Sequence, residues 1–192
     1  MTAPGETTRL LVVRHGATTW SEGGRLNGRS DIPLSEVGRA QVRELARTLD
    51  PRPQTTIWSS DLERATATAS ILQAAVTVAG AVLPLRIDER LRELDFGRLE
   101  GLTWTELEPA TRRALFDFDG FSAPGGESVL ALAARVDDFL TDLHHVDDPG
   151  PQIVVTHGGV IRLLLRRGPG DRPVRPGQAI RLTLAAGSVQ AG

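Results

Sequence analysis

Short apolar runs alternate with amphipathic segments along this chain of 192 residues. The runs are rich in β-branched residues and are bounded by polar, glycine or proline residues, as buried strands are. They predict strands at residues 9–13, 55–58, 81–87 and 153–156. A later apolar segment, residues 179–185 with Val189, predicts a terminal hairpin at the edge of a sheet.

Apolar residues spaced three and four apart predict helices between these strands. One helix begins near Ser35, a second takes Ser60 as its N-cap and extends to Gly80, and a third is capped by Ser128. A short helix is expected at residues 158–166. The apolar faces of the three longer helices consist of Val42, Leu45, Ala46 and Leu49, of Leu62, Ala65, Ala69 and Leu72, and of Val129, Leu132, Ala133, Val136, Leu140 and Leu143.

The alternation of strands and helices is typical of an α/β protein. We expect one domain, residues 1–192, built as a three-layer α/β/α sandwich. Its central sheet should be mostly parallel, with an antiparallel edge strand. Residues 16–31 form a long polar loop, which a compact domain usually keeps for function, and residues 88–126 are less regular.

Composition and charge exclude several classes of function. The formal net charge of −2 offers no global field for nucleic acid or an acidic membrane surface. The chain has no cysteine, so disulfides and a cysteinyl-phosphate mechanism are both excluded. No secretory signal is visible, and the most apolar window, residues 71–85, is too short to span a membrane. We therefore expect a cytoplasmic protein whose partners include neither nucleic acid nor a membrane.

Two histidines follow predicted strands and precede glycines. Arg14-His15-Gly16 follows the first strand, and His157-Gly158 follows the last. Parallel strands present their carboxyl ends at one edge of a sheet, so His15 and His157 can meet there. A neutral His15 imidazole can attack phosphorus if a carbonyl of the Gly16 turn holds the proton on its other nitrogen. His157 would donate to a phosphate oxygen, and the N–H groups after it would add further donors.

Arg64 and Glu93 are the other candidates for this chemistry. Arg64 lies in the first turn of the helix after the second strand, so its guanidinium can reach the same edge and bind two phosphate oxygens. Arg25, in the long loop, is a weaker candidate for that role. Glu93 follows the third strand and is a candidate general acid, because partial burial beside Glu89 and Asp95 would favour a protonated carboxyl.

Each of these residues also has a purely structural interpretation. A lone strand-end histidine more often caps a loop, and an arginine on a helix is usually solvated. A glutamate in an acidic stretch is usually exposed, and a Gly-Gly turn can simply serve a tight connection. No metal-binding pattern stands out, since His144 and His145 are adjacent on a helix and do not share a face.

Taken together, the motifs resemble those of the histidine phosphatase superfamily, the phosphoglycerate-mutase-like group. They run in order from about residue 10 to residue 165 as Arg14-His15-Gly16, Ser59-Ser60-Asp61-Leu62-x-Arg64-Ala65-x-x-Thr68-Ala69, Glu93-x-x-Phe96-Gly97-x-x-Glu100-Gly101, Gly125-Gly126-Glu127-Ser128 and Thr156-His157-Gly158-Gly159. The resemblance implies that His15 is phosphorylated and that Glu93 donates the proton. The phosphate pocket would be formed by Arg14, Arg64 and His157. Neither a metal nor an organic cofactor is implied.

Two positions depart from the family's pattern. Ala17 stands where the family usually has Glu or Gln, and Ser21 stands where it often has an Asn that contributes to the phosphate pocket. A serine hydroxyl still donates a hydrogen bond but reaches less far, and Asn27 is a candidate to compensate. The expected substrate-binding residues are therefore Arg14, Ser21, Asn27, Arg64, His157 and Gly158.

The resemblance favours a metal-independent phosphatase acting on a small phosphorylated substrate. The spacing of 157 − 93 = 64 residues leaves room for only a small insertion, at about residues 98–126, over the site, whereas glycolytic mutases carry a longer one. The aromatic run at residues 116–121 is most like that of α-ribazole-5′-phosphate phosphatases among the small broad-specificity enzymes. It is either a surface that stacks on a base or the hydrophobic underside of the insertion. A phosphoglycerate mutase and an inactive phospho-ligand-binding module are the alternatives, and a homodimer is left open.

Overall fold

The computed structural model describes residues 7–52, 54–78, 80–144, 150–168, 170–185 and 188–191. Within them the elements follow the order β1 (Thr7–Arg14), α1 (Thr19–Glu22), α2 (Glu36–Ala46), β2 (Thr56–Ser59), α3 (Glu63–Ala75), β3 (Thr77–Val78), β4 (Ala81–Val82), β5 (Leu85–Ile87), α4 (Pro109–Asp117), α5 (Val129–His144), β6 (Gln152–Thr156), α6 (Gly158–Arg166), β7 (Ala179–Ala185) and β8 (Ser188–Ala191). Three 3₁₀ turns, Glu89–Leu91, Gly97–Leu99 and Trp104–Glu106, lie between β5 and α4.

The central sheet has the strand order β5-β2-β6-β1-β7-β8. Strands β5, β2, β6 and β1 are mutually parallel, whereas β7 is antiparallel to β1 and β8 is antiparallel to β7. Helices α2 and α3 cover one face of the sheet, and α5 and α6 cover the other. The predicted three-layer sandwich and the terminal hairpin at the edge of its sheet are thus confirmed.

Successive residues of β1 face opposite layers, as the two-residue period of a strand requires. Leu10 and Val12 pack with α5 and α6 in one core cluster, and Val13 packs with α2 and α3 in the other. Helix α2, the first long helix after β1, and helix α6, which follows β6, therefore lie on opposite faces of the sheet. This arrangement opens a crevice at the carboxyl ends of these two neighbouring strands, where α/β proteins bind ligands.

The prediction of one strand at residues 81–87 is wrong. Ala81–Val82 pair with β3 in a separate two-stranded sheet, whereas Leu85–Ile87 pair with β2 in the central sheet. The division falls at Pro84, which has no N–H to donate to a strand ladder. Helix α3 ends at Ala75 rather than at Gly80, because strand β3 begins at Thr77.

Ser60 is not the N-cap of α3, so that prediction is also wrong. The Ser60 N–H donates to the Val155 carbonyl at 3.1 Å, which keeps the chain extended beside β6, and Leu62 becomes the N-cap residue. The Asp31 carboxylate accepts the Glu63 N–H at 2.7 Å, so the 16–31 loop supplies the cap. The predicted cap at Ser128 and the predicted helix start near Ser35 are confirmed, and the hydroxyls of both serines accept backbone N–H groups of their helices.

Two helices lie in segments predicted to be irregular. Helix α1 has four residues, and α4 has one buried residue, Leu115. Helix α1 is too short, and α4 has too few buried residues, for either to show a repeating apolar stripe in the sequence. Among the described residues, no helix is both long and apolar enough to cross a bilayer.

Candidate active site

The structure brings the two strand-end histidines together. The register of β1 and β6 pairs Arg14 with Thr156, so the residues that follow, His15 and His157, lie side by side. The His15 N–H donates to the Thr156 carbonyl at 3.0 Å, and the two imidazole centroids are 5.0 Å apart. Both rings are buried, although a histidine that only caps a loop would face solvent.

His15 is held in the form that a nucleophile needs. Its Nδ1 lies 2.7 Å from the Gly16 carbonyl oxygen, which can only accept, so Nδ1 carries the proton and Nε2 keeps its lone pair. Burial lowers the pKa of His15 well below its usual range, and the charges of Arg64 and Arg14 lower it further against the opposing Gly16 hydrogen bond. The imidazole is therefore neutral near pH 7.

Arg64 brings a buried positive charge to this crevice. Its side chain is fully buried and donates to the carbonyls of Ser30 at 2.9 Å, Gly28 at 2.5 Å and Asn27 at 3.3 Å. No described carboxylate forms an ion pair with it, and its Nε has no hydrogen-bond partner. Burial lowers the pKa of Arg64 and the charge of Glu93 opposes this, but a guanidinium remains protonated at neutral pH.

Arg14 and His157 supply further buried donors. Arg14 donates from Nη1 to the Val174 carbonyl at 2.8 Å, while its Nε and both ring nitrogens of His157 lack partners among the described residues. Burial lowers the pKa of His157, and Arg64 and His15 lower it further. Buried polar groups are normally hydrogen-bonded, so these atoms together are suited to the oxygens of a bound anion.

Glu93 lies beside these cations at the start of α6. Its Oε1 accepts the N–H groups of Gly159 at 3.0 Å and Leu94 at 2.8 Å, and its Oε2 lies 3.1 Å from the Gly159 nitrogen. A Cβ at position 159 would overlap Oε1, so only glycine permits this approach. The side chain is buried, and its charge acts on both Arg14 and Arg64. The structure therefore brings His15, His157, Arg14, Arg64 and Glu93 into one crevice.

Ser21 and Asn27 lie nearby, but their side chains bind the protein. The Ser21 hydroxyl donates to the Thr18 carbonyl at 3.0 Å and accepts the Thr18 N–H at 2.9 Å, which forms the capping box of α1. Asn27 donates from Nδ2 to the Thr18 hydroxyl at 3.1 Å, and its backbone carbonyl binds Arg64. Direct contact of either side chain with phosphate stays a prediction.

The structure does not bring Arg25 into the crevice. Its exposed side chain donates to the Gly101 carbonyl at 2.7 Å and pairs with Glu106 at 3.8 Å. Gly158, by contrast, packs against Arg14, because a Cβ added there would lie 3.2 Å from the guanidinium carbon. Among the described residues, no group of three or more His, Cys, Asp or Glu side chains could hold a metal ion, and His145 lies outside them.

Sequence reasoning assigned no role to Glu100 or Thr68, although both belong to the quoted motifs. The Glu100 carboxylate accepts the N–H groups of Arg29 at 2.6 Å and Ser30 at 2.8 Å, and so fixes the loop whose carbonyls bind Arg64. The Thr68 hydroxyl donates to the Arg64 carbonyl at 2.7 Å and accepts the Gly16 N–H at 3.1 Å. Both residues support the crevice from behind.

A cavity of about 790 Å³ adjoins Arg14 and Gly158. Phe116, which is 68% exposed, lines it, whereas Phe118 and Phe121 are buried in the core. The hydrophobic-underside interpretation therefore holds for Phe118 and Phe121, and Phe116 alone of the three can meet a ligand. Other lining residues are Trp104, Arg162, Arg166 and Arg172.

Residues 10–189 match the family model of the histidine phosphatase superfamily, branch 1. The chain belongs to this superfamily. Curated relatives agree: this histidine phosphatase is 36% identical over 167 residues to a glucosyl-3-phosphoglycerate phosphatase of Mycobacterium tuberculosis, covering 81% of this chain and 73% of that protein. It is 37% identical over 169 residues to a metal-independent phosphoserine phosphatase of Arabidopsis thaliana, covering 84% and 69%. The predicted family and enzyme class, a phosphatase, are confirmed.

Solved structures show the same fold. A crystal structure named as a phosphoglycerate mutase from Thermus thermophilus superposes on this histidine phosphatase with a TM-score of 0.76 and 40% identity, covering 91% of this chain and 92% of that one. An Escherichia coli protein named as a candidate α-ribazole-5′-phosphate phosphatase gives a TM-score of 0.76 at 25% identity, covering 95% and 93%. The neighbours therefore include both phosphatase and mutase names.

Proposed function

We propose that this histidine phosphatase hydrolyses a small phosphomonoester without a metal, through a phosphohistidine at His15. One observation carries the proposal. The Gly16 carbonyl fixes the proton of His15 on Nδ1, which leaves a buried Nε2 lone pair beside two arginines that have no ion-pair partner among the described residues. An incoming phosphate would supply both the electrophile and the missing negative charge.

In the first step, Nε2 of His15 attacks phosphorus and the bond from phosphorus to the leaving oxygen breaks. Glu93 gives its proton to that oxygen, so an alcohol departs rather than an alkoxide. Arg14, Arg64 and His157 bind the non-bridging oxygens as charge develops on them. In the second step, water attacks phosphorus, Glu93 takes its proton, and cleavage of the nitrogen–phosphorus bond releases phosphate and restores the neutral imidazole.

The cavity supports hydrolysis over isomerisation. We infer that its volume of about 790 Å³ beside Arg14 and Gly158, the neighbours of His15 and His157, would admit water near the phosphohistidine. A mutase must instead keep water from its phosphoenzyme until the phosphoryl group returns to an intermediate. The likeness to a structure named as a phosphoglycerate mutase makes that activity the second candidate.

The lining of the cavity suggests the class of leaving group. Trp104 and Phe116 expose aromatic surface to it, and ring-shaped groups such as sugars or bases pack well on such surfaces. We therefore place α-ribazole 5′-phosphate, whose base could stack on Phe116 or Trp104, first among the substrates to be tested. Glucosyl-3-phosphoglycerate, phosphoserine and 3-phosphoglycerate follow because of the relatives' names. Residues 98–126 would form the cover on this side of a single domain.

The test is hydrolysis of p-nitrophenyl phosphate in excess EDTA by the wild type and His15→Ala, with His144→Gln as a control outside the crevice. We expect loss of activity in His15→Ala alone. Equal rates in wild type and His15→Ala would overturn the proposal. The ester panel, assayed at equal concentrations, then separates activities: faster isomerisation of 3-phosphoglycerate than hydrolysis of any ester would favour the mutase. The cytoplasmic location and the homodimer stay predictions.

A further inference from the structure

Arg135 of α5 connects that helix to the backbone segment that carries Glu93. Its Nη1 donates to the carbonyls of Arg90 at 2.6 Å and Arg92 at 2.7 Å, and its Nη2 donates to the Glu93 carbonyl at 3.0 Å. Residues 92–96 are neither helix nor strand, so no repeating backbone ladder fixes them. The guanidinium of Arg135 therefore holds three carbonyls of a segment that has no regular secondary structure.

Glu127 completes this cluster, which we call the Arg135–Glu127 clamp. Its Oε1 accepts Nε of Arg135 at 2.8 Å, and its Oε2 accepts Nη2 at 2.9 Å and the Asp95 N–H at 3.3 Å. The two side chains are only 16% and 12% exposed. Burial alone would raise the pKa of Glu127, but the hydrogen bonds and charge of Arg135 outweigh it and hold the pKa below its usual range.

Arg135 and Arg64 differ in whether a carboxylate pairs with them. Both arginines donate to three backbone carbonyls within a short segment. Arg64 has no carboxylate partner among the described residues, whereas Arg135 forms a two-point ion pair with Glu127. A bidentate pair neutralises the guanidinium and fixes its plane. Arg135 is therefore suited to hold protein rather than to bind phosphate.

We propose that the Arg135–Glu127 clamp positions the Glu93 carboxyl for proton transfer to the leaving group. Arg135 is a positioning residue, since it contacts the main chain of residues 90–93 and not the substrate. The proposal rests on the proposed role of Glu93 as the general acid. It predicts that variants of the clamp lose activity mainly towards esters whose leaving group needs a proton, because misplacing a reacting group by about 1 Å can cost 10²-fold in rate.

The experiment compares two esters that differ in their need for acid. p-Nitrophenolate is a weak base and departs without a proton, whereas the alkoxide of an alkyl phosphate needs one. We expect Arg135→Lys to lower kcat/KM for an alkyl phosphate such as phosphoserine about tenfold or more, and to change kcat/KM for p-nitrophenyl phosphate by less than about threefold. The comparison uses kcat/KM because kcat also includes hydrolysis of the phosphohistidine, in which Glu93 acts on both esters alike. Lysine keeps the charge but cannot form the fork to three carbonyls and a carboxylate.

Controls separate this proposal from the one on which it rests. Glu93→Gln should show the same selectivity more strongly, and its absence would overturn the general-acid role itself. Arg90→Lys, which alters the ion pairs from the same segment to Asp88 and to Asp142 of α5, should leave the ratio of the two rates unchanged. If Glu93→Gln is selective while Arg135→Lys slows both esters equally, or if Arg90→Lys matches Arg135→Lys, the clamp does not position Glu93.

Two further measurements distinguish loss of positioning from a general folding defect. Glu127→Gln, which keeps the shape but not the charge of the partner, should reproduce the selective loss. In Arg135→Ala, added guanidinium ion at low concentration should restore alkyl phosphate hydrolysis more than p-nitrophenyl phosphate hydrolysis. Rescue of both esters to the same extent, or of neither, would contradict a positioning role.

Discussion

The two sides of the candidate active site, the proposed phosphate side and the proposed leaving-group side, differ in how their charges are paired. On the phosphate side, Arg14 and Arg64 are bonded to backbone carbonyls, and no described carboxylate forms an ion pair with them. On the leaving-group side, Glu93 is held by backbone N–H groups, and the arginine behind it is paired with Glu127. This pattern suits the proposed function: arginines without a carboxylate partner would lie where a ligand brings negative charge, and a paired arginine would lie where only positioning is needed.

The largest effect should come from removing a donor on the phosphate side. His157→Asn takes away a ring that has no protein partner for either nitrogen among the described residues. We expect kcat to fall about 10²–10³-fold, and by the same factor for p-nitrophenyl and alkyl phosphates, because the donor acts on oxygens that both esters share. Steady-state rates with both esters measure this. A loss of activity confined to alkyl phosphates would contradict the placement of His157 on the phosphate side.

Adjacent glycines at the start of α6 allow the two sides to be disturbed separately. A Cβ at position 159 would overlap the Glu93 carboxylate, whereas a Cβ at position 158 would press on the Arg14 guanidinium at 3.2 Å. Gly159→Ala should lower kcat/KM for alkyl phosphates about 10- to 100-fold while leaving kcat/KM for p-nitrophenyl phosphate nearly unchanged. Gly158→Ala should affect both esters alike, chiefly through KM. Each variant is the control for the other, and identical profiles would contradict the assignment.

The smallest effect concerns stability and belongs to the phosphate side. Burial lowers the pKa values of His15 and His157 in the folded protein, so the unfolded chain takes up protons first as pH falls. Their contribution to stability is complete above about pH 6.5 and is lost below it, by up to about 1.4 kcal/mol per pH unit for each ring. Urea unfolding of wild type and His157→Asn between pH 7 and 5 tests this. An unchanged slope in the variant would contradict it.

The meeting of His15, His157 and Arg64 in one crevice could be predicted from the sequence for a physical reason. His15 and His157 directly follow apolar strands, and the carboxyl ends of parallel strands meet at one edge. Arg64 lies in the first turn of α3, so its reach followed from the same geometry, although the predicted N-cap at Ser60 was wrong. Ser60 instead donates its N–H to the carbonyl of Val155, some 95 positions away in the chain, and no local pattern contains that contact.

The support of the leaving-group side could not be predicted. Glu93 was identifiable as a candidate acid, but Arg135 is one of many arginines on amphipathic helices, which are usually solvated. Its role depends on three carbonyls more than 40 positions earlier in the chain. Glu127 lies within one of the quoted motifs, yet a motif does not say which groups donate hydrogen bonds to its carboxylate. Tertiary contact, and not local propensity, decides such roles.

The most direct test of the account is to trap the phosphoenzyme. Wild-type protein mixed with p-nitrophenyl phosphate, quenched within milliseconds at alkaline pH and digested, should yield a peptide around residue 15 that is about 80 Da heavier, the mass of a transferred PO₃ group. The adduct should map to His15 and be absent from His15→Ala. Active turnover with no such adduct at His15, or with an adduct at His157 instead, would contradict the central claim.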